Sequence, residues 1–215
     1  MKLIPDSELK KIPIKDNGEK LINIQKFCPK IIVRPPTYIK NEGEWYAKRA
    51  GFVRETVANK LCFVQKNLPE GYKILLRCGY RSLKSQKKAF QAACDEVKKE
   101  NPIWNKNKIK QEASKAAAPL DIVPPHSTGG AVDVSILNSK GRLLDMGTKL
   151  GEFKTKTATN SREISKKAQE NRKLLIKLMK KAGFINYPTE WWHWSYGDRY
   201  WAAVLKKKYS IYKGV

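Results

Sequence analysis

Four residues in two short segments could together perform metal chemistry. The segment PPHSTGGAVDVSI contains His126 and, seven residues later, Asp133, while the distant segment TEWWHWSYGDRYWA contains Glu190 and His193. Two histidines and one carboxylate are a common ligand set for a catalytic zinc ion whose fourth position stays open for water. Zinc lowers the pKa of that water to about 7, and a carboxylate that is not a ligand can carry its proton to a leaving amine. The residue types fit a zinc site formed by His126, Asp133 and His193. Glu190 lies next to a ligand but separate from it, and fits the role of proton carrier.

Each of these residues also has a purely structural explanation. A lone loop histidine is more often a hydrogen-bonded residue than a ligand, Asp133 could face solvent, and an aromatic run such as the one around His193 is usually core or interface. The strand pattern favours a site, because its alternation places the side chain of Asp133 on the same face as the small Ala131 and Ser135. Burying Glu190 and His193 in an apolar stretch also costs free energy that ion pairing or metal coordination would offset.

The elements that must position these residues are predicted by hydrophobic periodicity. Residues 131–137 alternate like a strand, and the two glycines before them let the backbone approach closely. The run YKILLRCGYR at 72–81 predicts a buried strand that ends in a loop, and Ser82 can cap a helix that runs to about Glu100. The other predicted elements are helices at 44–67, 105–118 and 161–182, with Gly183 ending the last, and strands at 21–24, 31–33, 142–144, 184–185 and 191–195.

These elements do not alternate regularly enough for a doubly wound sheet. We therefore predict a single α+β domain over residues 1–215, with an irregular N-terminal segment, 1–43, packed on it. The four cysteines have the wrong spacing for a zinc finger and are expected to be free thiols in a reducing compartment.

Composition places the chain among globular proteins. Of its 215 residues, 41% are hydrophobic, and no run reaches about 18 apolar residues, so we expect no membrane-spanning helix. The net charge of +24 is spread evenly and no nucleic-acid-binding motif accompanies it, which favours a solvated surface. A nucleic acid, an anionic cell-wall polymer or a membrane surface is the alternative explanation of this charge. Residues 1–20 lack the apolar core of a signal peptide, which predicts a cytoplasmic protein, or a periplasmic or secreted one if a signal has been removed.

The two histidine segments resemble a known pair of signatures. HSTGGAVD at 126–133 is similar to the HxxGxAxD signature of the zinc D,D-peptidases, and EWWH at 190–193 is similar to their ExxH signature. The doubled tryptophan resembles the D-alanyl-D-alanine dipeptidase branch, the type known from vancomycin resistance. Further similarity lies in GYR at 79–81, DMGT at 145–148 and the Asn171–Arg172 region, so the resemblance covers about residues 70–202 and is expected to extend to the whole chain. It implies a small, mainly antiparallel sheet that carries the zinc site and is flanked by helices, in the manner of the hedgehog-like fold.

The resemblance also implies a role for each residue. His126, Asp133 and His193 would bind one zinc ion, and Glu190 would act as general base and then as general acid. Arg81 would stabilise the oxyanion or hold the substrate, because a guanidinium has permanent charge and a planar fork of donors. From the residues alone, a structural salt bridge at a strand end is the preferred explanation for Arg81.

The chain departs from the family pattern in the residues that bear on substrate choice. Cys78 stands where these dipeptidases often carry an acid, and Pro124 and Pro125 replace the residues that usually precede the first histidine. The run LGEF at 150–153 stands where the family tends to have Phe-Asp. A dipeptidase must bind a free ammonium, for which an acid is the natural partner. The candidate substrate contacts are Tyr80, Ser127 and Glu152, with Glu152 as the candidate partner of the ammonium.

The activity that the resemblance implies is hydrolysis of the D-alanyl-D-alanine dipeptide to two D-alanines in peptidoglycan metabolism. The expected partner is a small D,D-dipeptide, with no specific nucleic acid and no membrane span. One alternative is a D,D-carboxypeptidase or another peptidoglycan peptide hydrolase with the same metal site. A non-catalytic module that binds anionic polymers is motivated by the charge of +24, and the complete set of ligands and base argues against it.

Overall fold

The computed structural model describes residues 3–35, 49–114, 117–119, 122–152 and 154–215. The helices in these ranges are α1 (Asp6–Lys10), α2 (Ile24–Phe27), α3 (Glu55–Lys66), α4 (Leu83–Glu100), α5 (Lys106–Ala113), α6 (Lys166–Lys181) and α7 (Arg199–Val204). The strands are β1 (Leu21–Asn23), β2 (Ile32–Val33), β3 (Phe52–Arg54), β4 (Lys73–Cys78), β5 (Ala131–Leu137), β6 (Ile185–Asn186) and β7 (His193–Ser195). Two short 3₁₀ helices are formed by Pro125–Thr128 and Thr155–Thr157.

The main sheet has five strands in the order β2-β4-β5-β7-β6. Its β2–β4 pair is parallel and its other three pairs are antiparallel. A second, two-stranded antiparallel sheet joins β1 to β3. The prediction of an α+β fold with a small, mainly antiparallel sheet is therefore confirmed, and the sheet is flanked by helices as expected.

The central strand β5 separates the hydrophobic core from a polar face. All seven of its residues are buried. Val132, Val134 and Ile136 belong to a core cluster that also contains apolar residues of α3 and α6. Each such side chain contributes about 1.5–3 kcal/mol when it is fully buried. Because side chains alternate along a strand, Asp133 points away from this core, as the sequence predicted.

Helix boundaries differ from the predictions at one important place. The periodicity of residues 44–67 predicted one helix, but Phe52–Arg54 forms strand β3 and helix α3 begins at Glu55. The apolar spacing is compatible with both structures, and pairing of β3 with Leu21–Asn23 selects the strand. Residues 44–48 of that prediction lie outside the described residues.

Other predicted boundaries shift for reasons that are local. Ser82 caps α4 by accepting a hydrogen bond from the Ser85 amide, as expected. The predicted helix 161–182 begins only at Lys166, because the side chain of Ser165 caps it. Gly183 ends this helix with a φ of +86°. Residues 105–118 contain the shorter helix α5, and residues 115–116 lie outside the described ranges. The predicted partner strand 142–144 contributes a single bridge, between Leu137 and Leu143.

The N-terminal residues are held by the C-terminal ones. Residues 3–35 contain two short helices and two strands, and Ile24 and Ile31 are fully buried. The amides of Lys15 and Asn17 donate to the carbonyls of Ser210 and Ile211, at 2.9 and 3.0 Å. Across the described ranges, no helix is both long enough and apolar enough to cross a membrane.

Candidate active site

Three strands bring the first site residues side by side. In the sheet register, Asp133 of β5 is paired with Cys78 of β4 on one side and with His193 of β7 on the other. The ladder between β4 and β5 is irregular between Leu76 and Cys78. Antiparallel partners project on the same face of a sheet, so these side chains converge on the face opposite the core.

His126 reaches this face from the 3₁₀ helix that precedes β5. The chain then turns through Gly129, whose φ is +71°, and Gly130, where a Cβ atom would lie 2.3 Å from the Tyr196 carbonyl oxygen. Nδ1 of His126 lies 2.9 Å from the carbonyl oxygen of Gly79. A carbonyl only accepts, so Nδ1 carries the proton and Nε2 is the atom available to bind a metal.

The carboxylate of Asp133 lies close to a ring nitrogen of each of the two predicted histidine ligands. Oδ1 of Asp133 lies 3.3 Å from Nε2 of His126 and 3.1 Å from Nδ1 of His193. Zinc bonds of about 2.0 Å in a tetrahedral arrangement separate neighbouring donors by about 3.3 Å. All three residues are buried, and their donor types are those that zinc prefers. The donor types and these two distances to Asp133 fit a zinc ion.

The charge of Asp133 supports the same fit. Burial alone would raise the pKa of Asp133, but the imidazoles of His126 and His193 outweigh it and hold this pKa well below its ordinary value. Burial would lower the pKa of His126, and the Asp133 carboxylate reverses this and raises it. A buried carboxylate that stays ionised requires a cation beside it. Without metal that cation is a protonated His126, and a bound zinc ion can take the place of this proton.

Glu190 lies beside this group with the properties of a proton carrier. Its Oε2 is 3.9 Å from Nδ1 of His193, and its side chain is 16% exposed. Burial raises the pKa of Glu190 from the ordinary 4.5 to about 7. A carboxyl with such a pKa is matched to accepting and returning a proton near neutral pH.

Cys78 and Arg81 occupy the opposite edge of the site. The Cys78 sulfur lies 3.5 Å from Nδ1 of His126, and a terminal nitrogen of Arg81 donates to the same sulfur at 3.5 Å. Burial opposes ionisation of the thiol, but His126 and Arg81 lower the pKa of Cys78 to about 7. Cys78 can therefore supply negative charge where an acid was expected. Among the described residues, it forms a second possible metal-binding group with His126 and Asp133, overlapping the group of Asp133, Glu190 and His193.

Gln86 is a site residue that sequence reasoning missed. Its Oε1 accepts a hydrogen bond from Arg81 at 3.1 Å, and its Nε2 donates to the Ala118 carbonyl at 2.8 Å. Gln86 is therefore itself held in place and restricts the position of the Arg81 guanidinium. Gln86 is almost fully buried. The sequence did contain an indication of this role. Gln86 lies one turn before Ala89 and Phe90 on the apolar stripe of α4, and a polar residue on such a stripe needs a hydrogen-bond partner.

The three side chains predicted to contact the substrate each interact with another protein group. The hydroxyl of Tyr80 donates to the carbonyl of Val215 at 2.7 Å, and that of Ser127 donates to the carbonyl of Pro124 at 2.8 Å. Glu152 lies 3.9 Å from the ammonium of Lys154. These contacts are with other protein groups, and the substrate roles of the three side chains stay predictions. Phe153 lies outside the described residues.

A buried set of two imidazoles and one carboxylate, beside a second carboxyl with a raised pKa, is typical of a zinc metallopeptidase. The sequence model of the peptidase M15 family, described as D-ala-D-ala dipeptidase, matches residues 39–213. The chain therefore belongs to this family, and it is a zinc-dependent enzyme.

Individual relatives agree with this assignment. A D-alanyl-D-alanine dipeptidase of Synechocystis sp. is 28% identical over 229 residues, covering 95% of this chain and 92% of the relative. One from Escherichia coli is 30% identical over 87 residues, or 40% of this chain and 45% of that protein. A solved structure of VanYB in complex with D-alanine-D-alanine is similar with a TM-score of 0.48 and 18% identity, over 72% of this chain and 76% of that one. That similarity is too low to add to the family assignment.

Proposed function

We propose that this protein hydrolyses the D-alanyl-D-alanine dipeptide to two D-alanines, as a step in peptidoglycan metabolism. The observation that carries the proposal is the position of Glu190, whose carboxyl lies beside His193 and the Asp133 carboxylate that contacts both histidines. The family of the chain and the names of its relatives support the choice of a D,D-dipeptide as substrate.

In this proposal His126, Asp133 and His193 hold the zinc ion. When bound there, zinc supplies a Lewis acid that polarises the scissile carbonyl and makes water acidic enough to lose a proton near neutral pH. The Gly79 carbonyl keeps the proton of His126 on Nδ1 and so leaves Nε2 directed at Asp133. The strand pairing of Asp133 with His193 fixes the other two donors relative to each other.

Glu190 moves the proton in both halves of the reaction. Its carboxylate takes the proton from the attacking water and returns it to the amine that leaves when the peptide bond breaks. Glu190 lies in the turn before β7, where partial burial limits the contact of its carboxyl with bulk water. A positioned acid–base group of this kind contributes about 10²- to 10⁴-fold in rate.

Arg81 stabilises the negative charge that develops on the carbonyl oxygen. Gln86 and Cys78 hold two nitrogens of its guanidinium, and its backbone amide donates to the His126 carbonyl at 3.1 Å. These contacts fix the cation at the edge of the metal-binding group, and a fixed cation needs little reorganisation during the reaction. This arrangement supports a catalytic role for Arg81.

We expect kcat/KM to fall on the acid side as Glu190 becomes protonated. The base must be ionised to act, so activity is present above its pKa and is lost as pH falls through it. Burial raises this pKa to about 7, and a bound dication lowers it again, so the midpoint should lie between the ordinary 4.5 and about 7. The measurement is kcat/KM from about pH 4 to about pH 9, with bound zinc followed at each pH. A midpoint below that window, or a loss of zinc that accounts for the whole decline, would contradict the assignment.

One observation favours a second candidate, a D,D-carboxypeptidase that acts on longer wall peptides. Glu152, the candidate partner of the dipeptide ammonium, lies 3.9 Å from the ammonium of Lys154, which would compete with a substrate ammonium for this carboxylate. We expect free D-alanyl-D-alanine to be cleaved with a higher kcat/KM than a muramyl pentapeptide that ends in the same two residues. Comparison of the two substrates under identical conditions decides between the candidates, and a preference for the pentapeptide would establish the second.

A further inference from the structure

Two arginines lie almost fully buried outside the chemistry described so far. Arg54 is 3% exposed and Arg172 is 2% exposed. Burying a guanidinium is costly unless hydrogen bonds satisfy it. Each of these side chains donates from Nε and from both terminal nitrogens to main-chain carbonyls of other segments. Such an arrangement fixes the positions of the segments that it joins.

Arg54 holds the segment that carries His126. Its Nε donates to the carbonyl of Thr128 at 2.7 Å, and Thr128 is the last residue of the 3₁₀ helix that contains the histidine. Its backbone amide donates to the carbonyl of Gly129 at 3.0 Å. Both the main chain and the side chain of Arg54 therefore donate hydrogen bonds to the loop within three residues of His126.

The space around this loop leaves it little freedom to move. A Cβ atom at Gly129 would lie 2.3 Å from a methyl group of Leu21 and 3.5 Å from atoms of Arg54. The hydroxyl of Thr128 also accepts a hydrogen bond from the Gly130 amide at 2.9 Å. The backbone between His126 and β5 is consequently set by its contact with Arg54 and β1.

An N-terminal segment and a C-terminal segment both contact the guanidinium of Arg54. One terminal nitrogen donates to the carbonyl of Glu19, and the other donates to the carbonyl of Lys213 at 3.1 Å. Asp16 lies 3.8 Å from this second nitrogen, and the Tyr212 ring centroid lies 5.0 Å from the guanidinium carbon. Arg54 thus connects the histidine loop to two segments that contribute no zinc ligand.

We propose that Arg54 is a positioning residue for the metal site, which fixes the Thr128–Gly129 backbone so that Nε2 of His126 meets Asp133 and His193. The inference rests on the proposed function, because it requires His126 to be a zinc ligand. Loss of the guanidinium should let the loop relax and should weaken zinc binding beyond any effect on folding. Residues that orient a metal ligand contribute about 10- to 100-fold to metal affinity.

Arg172 provides a matched control from the same molecule. Its hydrogen bonds go to the carbonyls of Met146, Lys156 and Ala158, at 2.8, 2.9 and 2.6 Å. These segments support the Glu190 side of the site, since the Trp191 amide donates to the carbonyl of Thr157. Arg172 therefore matches Arg54 in burial and in number of carbonyl partners, but it does not hold the His126 loop.

The experiment measures the zinc dissociation constant of the whole protein by competition with a chromophoric chelator. Wild type is compared with Arg54→Gln, Arg54→Lys, Arg172→Gln and Arg172→Lys, and the visible spectrum of the cobalt(II) form reports the ligand geometry. We expect Arg54→Gln to raise the dissociation constant by about 10- to 100-fold and Arg54→Lys to raise it less. Both Arg172 variants should change the zinc dissociation constant by no more than about twofold, because Arg172 does not hold the segment that carries His126.

Circular dichroism of each zinc-free variant establishes that it is folded. Where a glutamine variant does not fold, the pair of lysine variants decides. Equal effects of the Arg54 and Arg172 substitutions on zinc affinity, or no effect of either, would overturn the inference. Wild-type protein and His126→Ala are measured alongside. Equal zinc affinity of these two would instead overturn the proposed metal site itself.

Discussion

Replacement of Glu190 by glutamine should nearly abolish hydrolysis of D-alanyl-D-alanine while leaving zinc in place. Glutamine keeps the shape of the side chain but cannot accept the proton of the attacking water. The carboxyl lies 3.9 Å from His193 and burial raises its pKa to about 7, so it is suited to take this proton near neutral pH. We expect kcat to fall by about 10³-fold or more, with a smaller change in KM.

The control for this substitution is Glu170→Gln, which removes an exposed acid from the surface of α6. Its kcat should equal that of wild type. Zinc content and kcat are measured on the same preparations of all three proteins. The role of Glu190 would be wrong if Glu190→Gln turned over at a rate near that of wild type, or if its loss of activity followed a loss of zinc.

Replacement of Asp133 by asparagine should remove both zinc and activity. Oδ1 of Asp133 lies 3.3 Å from Nε2 of His126 and 3.1 Å from Nδ1 of His193. Asparagine has no negative charge and is a weaker metal ligand than a carboxylate. We expect zinc affinity to fall by more than about 100-fold, the upper end of the range for residues that only orient a ligand. Equilibrium dialysis with measured zinc gives the affinity.

Ser135→Ala is the matched control for Asp133→Asn. Ser135 is buried two residues further along β5 and shares the face of Asp133, so the control tests for general damage to the strand. It should keep wild-type zinc affinity. Retention of one tightly bound zinc ion by Asp133→Asn would show that the metal does not require this carboxylate, and Cys78 with His126 would then be candidate ligands.

Local patterns were sufficient to predict the part of the site that lies on β5. The alternation of Val132 and Val134 around Asp133 placed the carboxylate opposite the core, and the strand has the predicted bounds of Ala131–Leu137. The helix cap at Ser82 and the helix end at Gly183 were also predicted, because both depend on residues within one turn. Periodicity and capping are local properties, and the sequence displays them directly.

Features that depend on distant partners could not be predicted in the same way. Phe52–Arg54 forms a strand because Leu21–Asn23 pairs with it, although its apolar spacing also suits a helix. The hydrogen bonds of Arg54 to Thr128 and of Arg81 to Gln86 likewise depend on which segments meet in the fold. Their side chains give little indication of burial in the sequence, since arginine and glutamine are usually exposed.

The most direct test of the central claim measures release of alanine from D-alanyl-D-alanine and from its L,L and L,D stereoisomers. Each assay is run on protein as purified, after removal of metal with a chelator, and after one equivalent of zinc is restored. We predict cleavage of the D,D dipeptide with little or none of the L,L isomer, loss of that cleavage with the chelator, and its recovery with zinc. Cleavage that survives metal removal, or failure of the zinc-loaded protein to cleave any D,D substrate, would contradict the account.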